Sequence, residues 1–201
     1  ASRSLLEIIN DVLDLSKIEA GKLELHPRVF SLRAAVQDCL DLVAFQCRQK
    51  GLKLGCDTAP DVPDCLQGDS FRLRQTLSNL LGNAVKFTRE GFVHLEVETL
   101  KDHQENDQAV TLLFSVRDSG PGIPEEIMPL LFQRFQQGQG AETIQGTGLG
   151  LAICKELVEL MHGRIWAENL SGAGAQFSFT VRLHTAAPVV NEHKHLPTGA
   201  L

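Results

Sequence analysis

Apolar residues recur every three or four positions in four stretches of this chain and every second position in several others. Near the start, Leu5, Ile8, Val12 and Leu15 form one helical stripe, with Leu6, Ile9 and Leu13 beside it. Two adjacent stripes make the wide apolar face of a bundle helix, and Gly21 is a natural stop. That face has no partner helix nearby in sequence. It packs on the rest of the domain, on a second chain, or on residues outside this sequence; the last two together are the favoured reading. His26 and Pro27 break the pattern. Ser31 then caps a helix over about 32–49, which Gly51 closes. The region from Leu52 to Cys56 reads as a short strand, and a third helix runs from about Asp69 to Phe87.

Further along, Val93, Leu95 and Val97 alternate with His94 and Glu96, which predicts a strand over 92–98. A second strand covers 110–117. Pro124 suits the first position of a short helix, where Glu125 and Glu126 favour the positive end. Residues 133–146 lack periodicity, and a loop of that length in a compact domain is usually a functional lid or disordered. A helix over about 148–162 and strands near 164–169 and 175–183 follow. Residues 185–201 carry two prolines and no core pattern, as a linker would. The segments read as 1–25, 26–184 and 185–201.

Composition narrows the function. In 201 residues, 19 Lys and Arg stand against 25 Asp and Glu, for a net charge of −6. No dense basic cluster occurs, so no nucleic-acid partner is expected. No apolar run approaches the roughly 18–20 residues that a membrane-spanning helix needs. Five cysteines without a C-x-x-C read as reduced thiols of a cytoplasmic region.

Three motifs carry candidate chemistry. Gln75, Asn79, Asn83 and Lys86 lie along one face of the third helix. An Asn carboxamide oxygen there can ligate Mg²⁺, which takes oxygen ligands and leaves much of its shell to phosphates, while Lys86 meets phosphate oxygens. Asp118-Ser-Gly-Pro-Gly-Ile123 follows a strand directly. Its glycines let a flat ligand approach the backbone, and the Asp118 carboxylate can accept from an exocyclic amine. Gly146-Thr-Gly-Leu-Gly-Leu151 opens a helix whose free N–H groups suit phosphate. It has neither the P-loop's Gly-Lys-Ser/Thr nor the Rossmann spacing. Taken singly, each motif also reads as ordinary: a solvated helix face, an Asp-capped turn, a Gly-rich helix entry.

Their order is more specific, and with it the chain resembles the ATP-binding catalytic domain of sensor histidine kinases, in the fold shared with gyrase B, Hsp90 and MutL. Residues 79–88 (Asn-Leu-Leu-Gly-Asn-Ala-Val-Lys-Phe-Thr) resemble the N box and residues 118–123 the G1 box. Leu131-Phe-Gln-Arg-Phe135 is similar to the F box, and residues 146–150 are similar to the G2 box. The stretch from Ile9 to Gly21 resembles the second helix of the dimerisation and phosphotransfer bundle. Together with Gly68-Asp-Ser-Phe-Arg-Leu-Arg-Gln75, it points to hybrid sensor kinases.

The resemblance implies an α/β two-layer sandwich: a mixed sheet of about five strands, three helices on one face and an N-terminal bundle helix. It implies ATP and Mg²⁺ as cofactors. Asn83 is then the metal ligand, with Asn79 beside it and Lys86 on phosphate. Asp118 binds the adenine amine, and Gly120, Gly122 and Ile123 shape the base pocket. Gly146, Thr147, Gly148, Leu149 and Gly150 wrap the phosphates, and Phe132 and Phe135 anchor the lid. No Lys or Arg lies between Arg134 and Lys155, where the family often carries one, so Arg134 is the candidate for stabilising the transferred charge, with Asn79 and Lys86 as its catalytic companions.

The implied activity is transfer of the γ-phosphoryl group to a bundle histidine, then to a receiver aspartate. The acceptor precedes residue 1, and none of the seven histidines stands in a matching context, so this chain alone is not expected to phosphorylate itself. The implied partners are a second copy through the helix bundle and a response-regulator receiver domain, with another sensor kinase as a further candidate. The intact protein, unlike this region, could be membrane-anchored. The rival reading is a regulatory module that binds nucleotide or a partner kinase without efficient transfer.

Overall fold

The computed structural model describes residue 9 and residues 12–18, 20–100, 108–134 and 148–187. Residues 12–18 are helical (α1). After them come β1 (Arg28–Ser31), α2 (Leu32–Lys50), β2 (Lys53–Thr58), β3 (Cys65–Gly68) and α3 (Ser70–Phe87). The second half contains β4 (Phe92–Leu100), β5 (Ala109–Asp118), α4 (Gly150–Leu160), β6 (Ile165–Asn169) and β7 (Ala175–Thr185).

The helix boundaries follow from capping. Ser31 Oγ accepts from Ala34 N–H at 3.2 Å. Gly51 ends α2 at φ 69°, while Leu52 N–H returns to Cys47 O at 2.9 Å, the bond pattern that a left-handed glycine allows. Asp69 Oδ1 accepts from both Phe71 and Arg72 N–H at 3.1 Å. The far end of α3 is capped from outside. Lys50 Nζ donates to the carbonyls of Val85 at 2.6 Å, Lys86 at 3.1 Å and Thr88 at 3.1 Å. A cation suits those unpaired carbonyls and the negative end of the helix.

The strands form one sheet in the order β1-β3-β7-β5-β4-β2, with β6 also paired to β7. Only β2–β4 is parallel, so the sheet is mixed. It has seven strands, more than the five or so expected from the sequence. The additions β1 and β3 are four residues each, too short for alternation to register. Pro124 begins a turn rather than a helix. Its carbonyl accepts from Ile127 and Met128 N–H, and only Met128–Leu130 forms a 3₁₀ turn. The last strand reaches Thr185, one residue into the segment read as a tail.

Period-two alternation places Val93, Leu95 and Val97 of β4 and Val110, Leu112, Phe114 and Val116 of β5 in the core. They pack beneath the buried stripes of α2, α3 and α4. Phe114 and Phe179 stack there, with centroids 4.8 Å apart. The opposite face is polar: Arg117 pairs with Glu96 at 3.0 Å and donates to Gln176 at 2.6 Å. Helices on one face of a sheet make the expected two-layer sandwich.

The first helix divides its apolar residues. Leu15 is buried in this domain's own core and Ile18 packs against it, while Ile9, Val12 and Leu13 stay exposed. The sequence reading had favoured a partner outside the domain for the whole face. Among the described residues of that face, Leu15 alone is buried here, with Ile18 beyond it packed alongside, because residues 20–25 turn the chain back so that Leu23 and Leu25 join the same core.

Candidate functional site

Burying Leu73, Leu77, Leu80, Leu81, Ala84 and Val85 leaves another face of α3 bearing the amides. Asn79 and Asn83 stand there half-buried, and Asn83 Nδ2 donates to Asn79 Oδ1 at 2.9 Å. That bond uses the amino group of Asn83 and leaves its carbonyl oxygen for another partner. Gln75, earlier on the same stripe, turns away and donates to Asp14 Oδ2 at 2.9 Å. Lys86 is half-buried, with its ammonium 5.1 Å from the Phe87 ring centroid. Burial lowers its pKa from the ordinary lysine value, which favours an anionic neighbour for the charged form.

Asp118 ends β5 and is only 5% exposed. Its Oδ1 accepts from Gly120 N–H at 2.8 Å. Desolvation raises its pKa, opposed by the backbone N–H groups of Gly120 and Ala175 and by the Thr88 hydroxyl. The turn after it is held tightly. Asn169 Oδ1 accepts from Ile123 N–H at 2.7 Å, and Asn169 Nδ2 donates to Ile123 O at 2.8 Å. Gly122 has φ 78°, and a Cβ there would lie 3.0 Å from Asn169 Oδ1. Gly174 is pressed against the Asp118 carbonyl so closely that a Cβ would collide with it.

The glycines that open α4 complete the site. Gly148 takes φ 68°, and the side chain of Leu149 is buried in the core while supplying no cap to the helix. A Cβ on Gly150 would strike the Asn79 side chain, so the start of α4 abuts the amide-bearing face of α3. Of the lid anchors, Phe132 is half-buried. Arg134 faces Glu156 of α4, with Nη2 and Oε1 3.7 Å apart. Phe135, Gly146 and Thr147 lie outside the described residues.

The glycine start of α4 thus abuts the amide pair of α3, and the turn after the strand-end carboxylate lies against Phe87 and Thr88 at the far end of the same helix. The family model for histidine kinase-, DNA gyrase B- and HSP90-like ATPases matches residues 68–185, the part that holds all three. This chain belongs to that ATPase family. It is 41% identical to the sensory/regulatory protein RpfC of Xanthomonas campestris over its full length, which is 28% of that protein. It is 41% identical to the sensor protein GacS of Pseudomonas syringae, with 98% of this chain and 22% of that one covered. Hybrid signal transduction histidine kinase L of Dictyostelium discoideum is 44% identical over 94% of this chain and 11% of its own length. Among solved structures, full-length ShkA in complex with AMPPNP has a TM-score of 0.78 at 32% identity, covering 92% of this chain and 37% of that one.

Among these relatives is a hybrid signal transduction histidine kinase, similar over 94% of this chain. Sequence reasoning had missed Asn169, Gly174 and Thr88. Asn169 meets Ile123 across 46 positions, a contact that local spacing cannot reveal. Gly174 stood in a plain turn, and Thr88 was read only as the last letter of a motif. Among the described residues, no group of three or more His, Cys, Asp or Glu could hold a metal. Among the described residues, the Asn83 carbonyl oxygen offers a divalent cation one ligand, which suits Mg²⁺ with phosphate and water completing its shell. No helix among the described residues is long and apolar enough to cross a membrane.

Proposed function

We propose that this chain binds Mg·ATP and serves as the catalytic part of a two-component sensor histidine kinase. The carrying observation is the abutment of Gly150 on Asn79, which brings the glycine that opens α4 against the amide pair of α3. Asp118 then accepts from the adenine amine. Asn83 would hold Mg²⁺, whose charge would offset that of the phosphates. Lys86 neutralises a phosphate oxygen, and the N–H groups at the start of α4 receive others. The chain's work is orientation and charge stabilisation. An imidazole nitrogen of the acceptor attacks the γ-phosphorus in line, the bond to the bridging oxygen breaks, and ADP leaves.

The acceptor histidine, the second copy in the bundle and the receiver aspartate lie beyond this chain, which spans 11–28% of the three relatives described. We place the bundle segment at 1–25, the catalytic domain at 26–184 and the linker at 185–201. Calorimetric titration with AMPPNP, with and without Mg²⁺, tests the reading. Binding strengthened by Mg²⁺ in the parent, and indifferent to it in Asn83→Ala, is expected. Folded parent protein that gives no binding heat overturns it.

A further inference from the structure

Lys50 reaches from α2 to the last turn of α3 and places all three of its ammonium protons there. Its Nζ donates to the carbonyls of Val85 at 2.6 Å, Lys86 at 3.1 Å and Thr88 at 3.1 Å, as many acceptors as an ammonium has donors. Gly51 stops α2, so Lys50 is the last residue of that helix, and its bonds bring the closing turns of the two helices together. Each helix end carries a partial negative charge, and one cation between them offsets both. Thr88 has already left the helix, at φ −84° and ψ 126°, so no further helical turn holds these carbonyls in place.

The carbonyls that Lys50 grips belong to residues of the nucleotide site. Lys86 is the lysine assigned above to phosphate, and Thr88 is the residue whose hydroxyl bonds the Asp118 carboxylate. Between them, the Phe87 carbonyl lies 3.4 Å from where a Cβ on Gly120 would stand, and Thr88 Oγ1 lies 3.3 Å from the same point. The turn after Asp118 therefore rests on the corner that Lys50 braces. The same turn is also tied to the loop before β4. Ser119 Oγ accepts from Phe92 N–H at 2.8 Å and donates to the Glu90 carbonyl at 2.9 Å. A simple helix cap would affect stability alone, whereas a brace under this corner also sets where two binding groups stand.

Resting on the nucleotide reading above, we infer that Lys50 is a positioning residue of the site: from outside it, the ammonium fixes the backbone of residues 85–88 so that Lys86 meets phosphate and the turn after Asp118 keeps its seat.

The test separates bracing from capping. AMPPNP with Mg²⁺ is titrated, well below each melting temperature, into the parent chain, Lys50→Met and Ser31→Ala. Ser31→Ala removes the cap at the opposite end of α2, so it weakens the helix and leaves the corner intact. Both variants melt below the parent, but only Lys50→Met binds about 3- to 10-fold more weakly, the worth of one hydrogen bond. Amide hydrogen exchange without ligand gives a second readout. The Gly120 N–H, which donates to Asp118 Oδ1, loses protection in Lys50→Met and keeps it in Ser31→Ala. Should Lys50→Met not fold, Lys50→Gln, which has two donors and no charge, takes its place under the same criteria. The inference is overturned if the Lys50 variant binds AMPPNP like the parent, if its Gly120 amide stays fully protected, or if Ser31→Ala weakens binding as much. A folded parent that binds no AMPPNP overturns the nucleotide reading itself.

Discussion

Arg72 Nη1 lies 2.9 Å from Asp14 Oδ2, and this pair joins the first helix to the start of the helix that bears Asn79 and Asn83. The two side chains are 13% and 15% exposed, and Gln75 binds the same oxygen while accepting from Arg72 at 2.7 Å. A three-membered network with so little solvent around it is coupled, unlike an exposed ion pair. A double-mutant cycle of Asp14→Ala and Arg72→Ala, read by urea denaturation, is expected to give a coupling energy of about 0.5–3 kcal/mol. Affinity for AMPPNP should change less than about twofold, because neither residue touches the amide pair; additive effects on stability would show that the contact is not made.

Asp118 predicts a pH dependence of definite sign. Burial raises its folded-state pKa above the unfolded value. Its contribution to the empty domain's stability is then fully present below the unfolded value and is lost as pH rises through the folded one. Nucleotide needs the ionised form as acceptor, so affinity runs the other way. It should fall on acidification, starting above the ordinary aspartate value of 3.8. Asp118→Asn should weaken ATP by about 10- to 150-fold, the range for a bond to a charged group. It should also flatten the pH profile and fold at least as stably at neutral pH. Titration calorimetry and thermal melts across pH measure both.

Gly150→Ala separates stability from binding. The residue opens α4, where alanine is the better helix former by about 1 kcal/mol. Its Cβ would nevertheless strike Asn79, which the bond from Asn83 holds in place. We expect an unchanged or slightly higher melting temperature and about a tenfold loss of AMPPNP affinity. Unchanged affinity would mean that Asn79 can move aside without consequence.

Asn169 acts on the base pocket through Ile123. Removing both of its bonds with Asn169→Ala should raise the dissociation constant for ATP about 3- to 10-fold. Asn169→Asp keeps only the acceptor and should fall between. If Ile123 were held by the rest of the turn, both variants would bind like the parent.

The periodicities of this chain are enough to find α2, α3, α4 and the long strands β4, β5 and β7, because each spans enough residues for a period to show. The spacing of Asn79, Asn83, Asp118, Gly148 and Gly150 likewise names most of the site, since a helix face, a strand end and a helix start are local features. Phe135, Gly146 and Thr147 were named the same way and lie outside the described residues. The missed elements share one cause. The strand β1 is defined by its pairing with β3, from Arg28↔Gly68 to Ser31↔Cys65, rather than by its own four residues. Asn169 matters through a loop 46 positions away, and Thr88 through the carboxylate that shares the space beside Gly120. Local pattern settles what a backbone segment becomes and which chemistry it carries. Which side chain completes another's hydrogen bonds depends on folding distant segments into one buried volume, where an unpaired group is costly, and that was decided only in three dimensions.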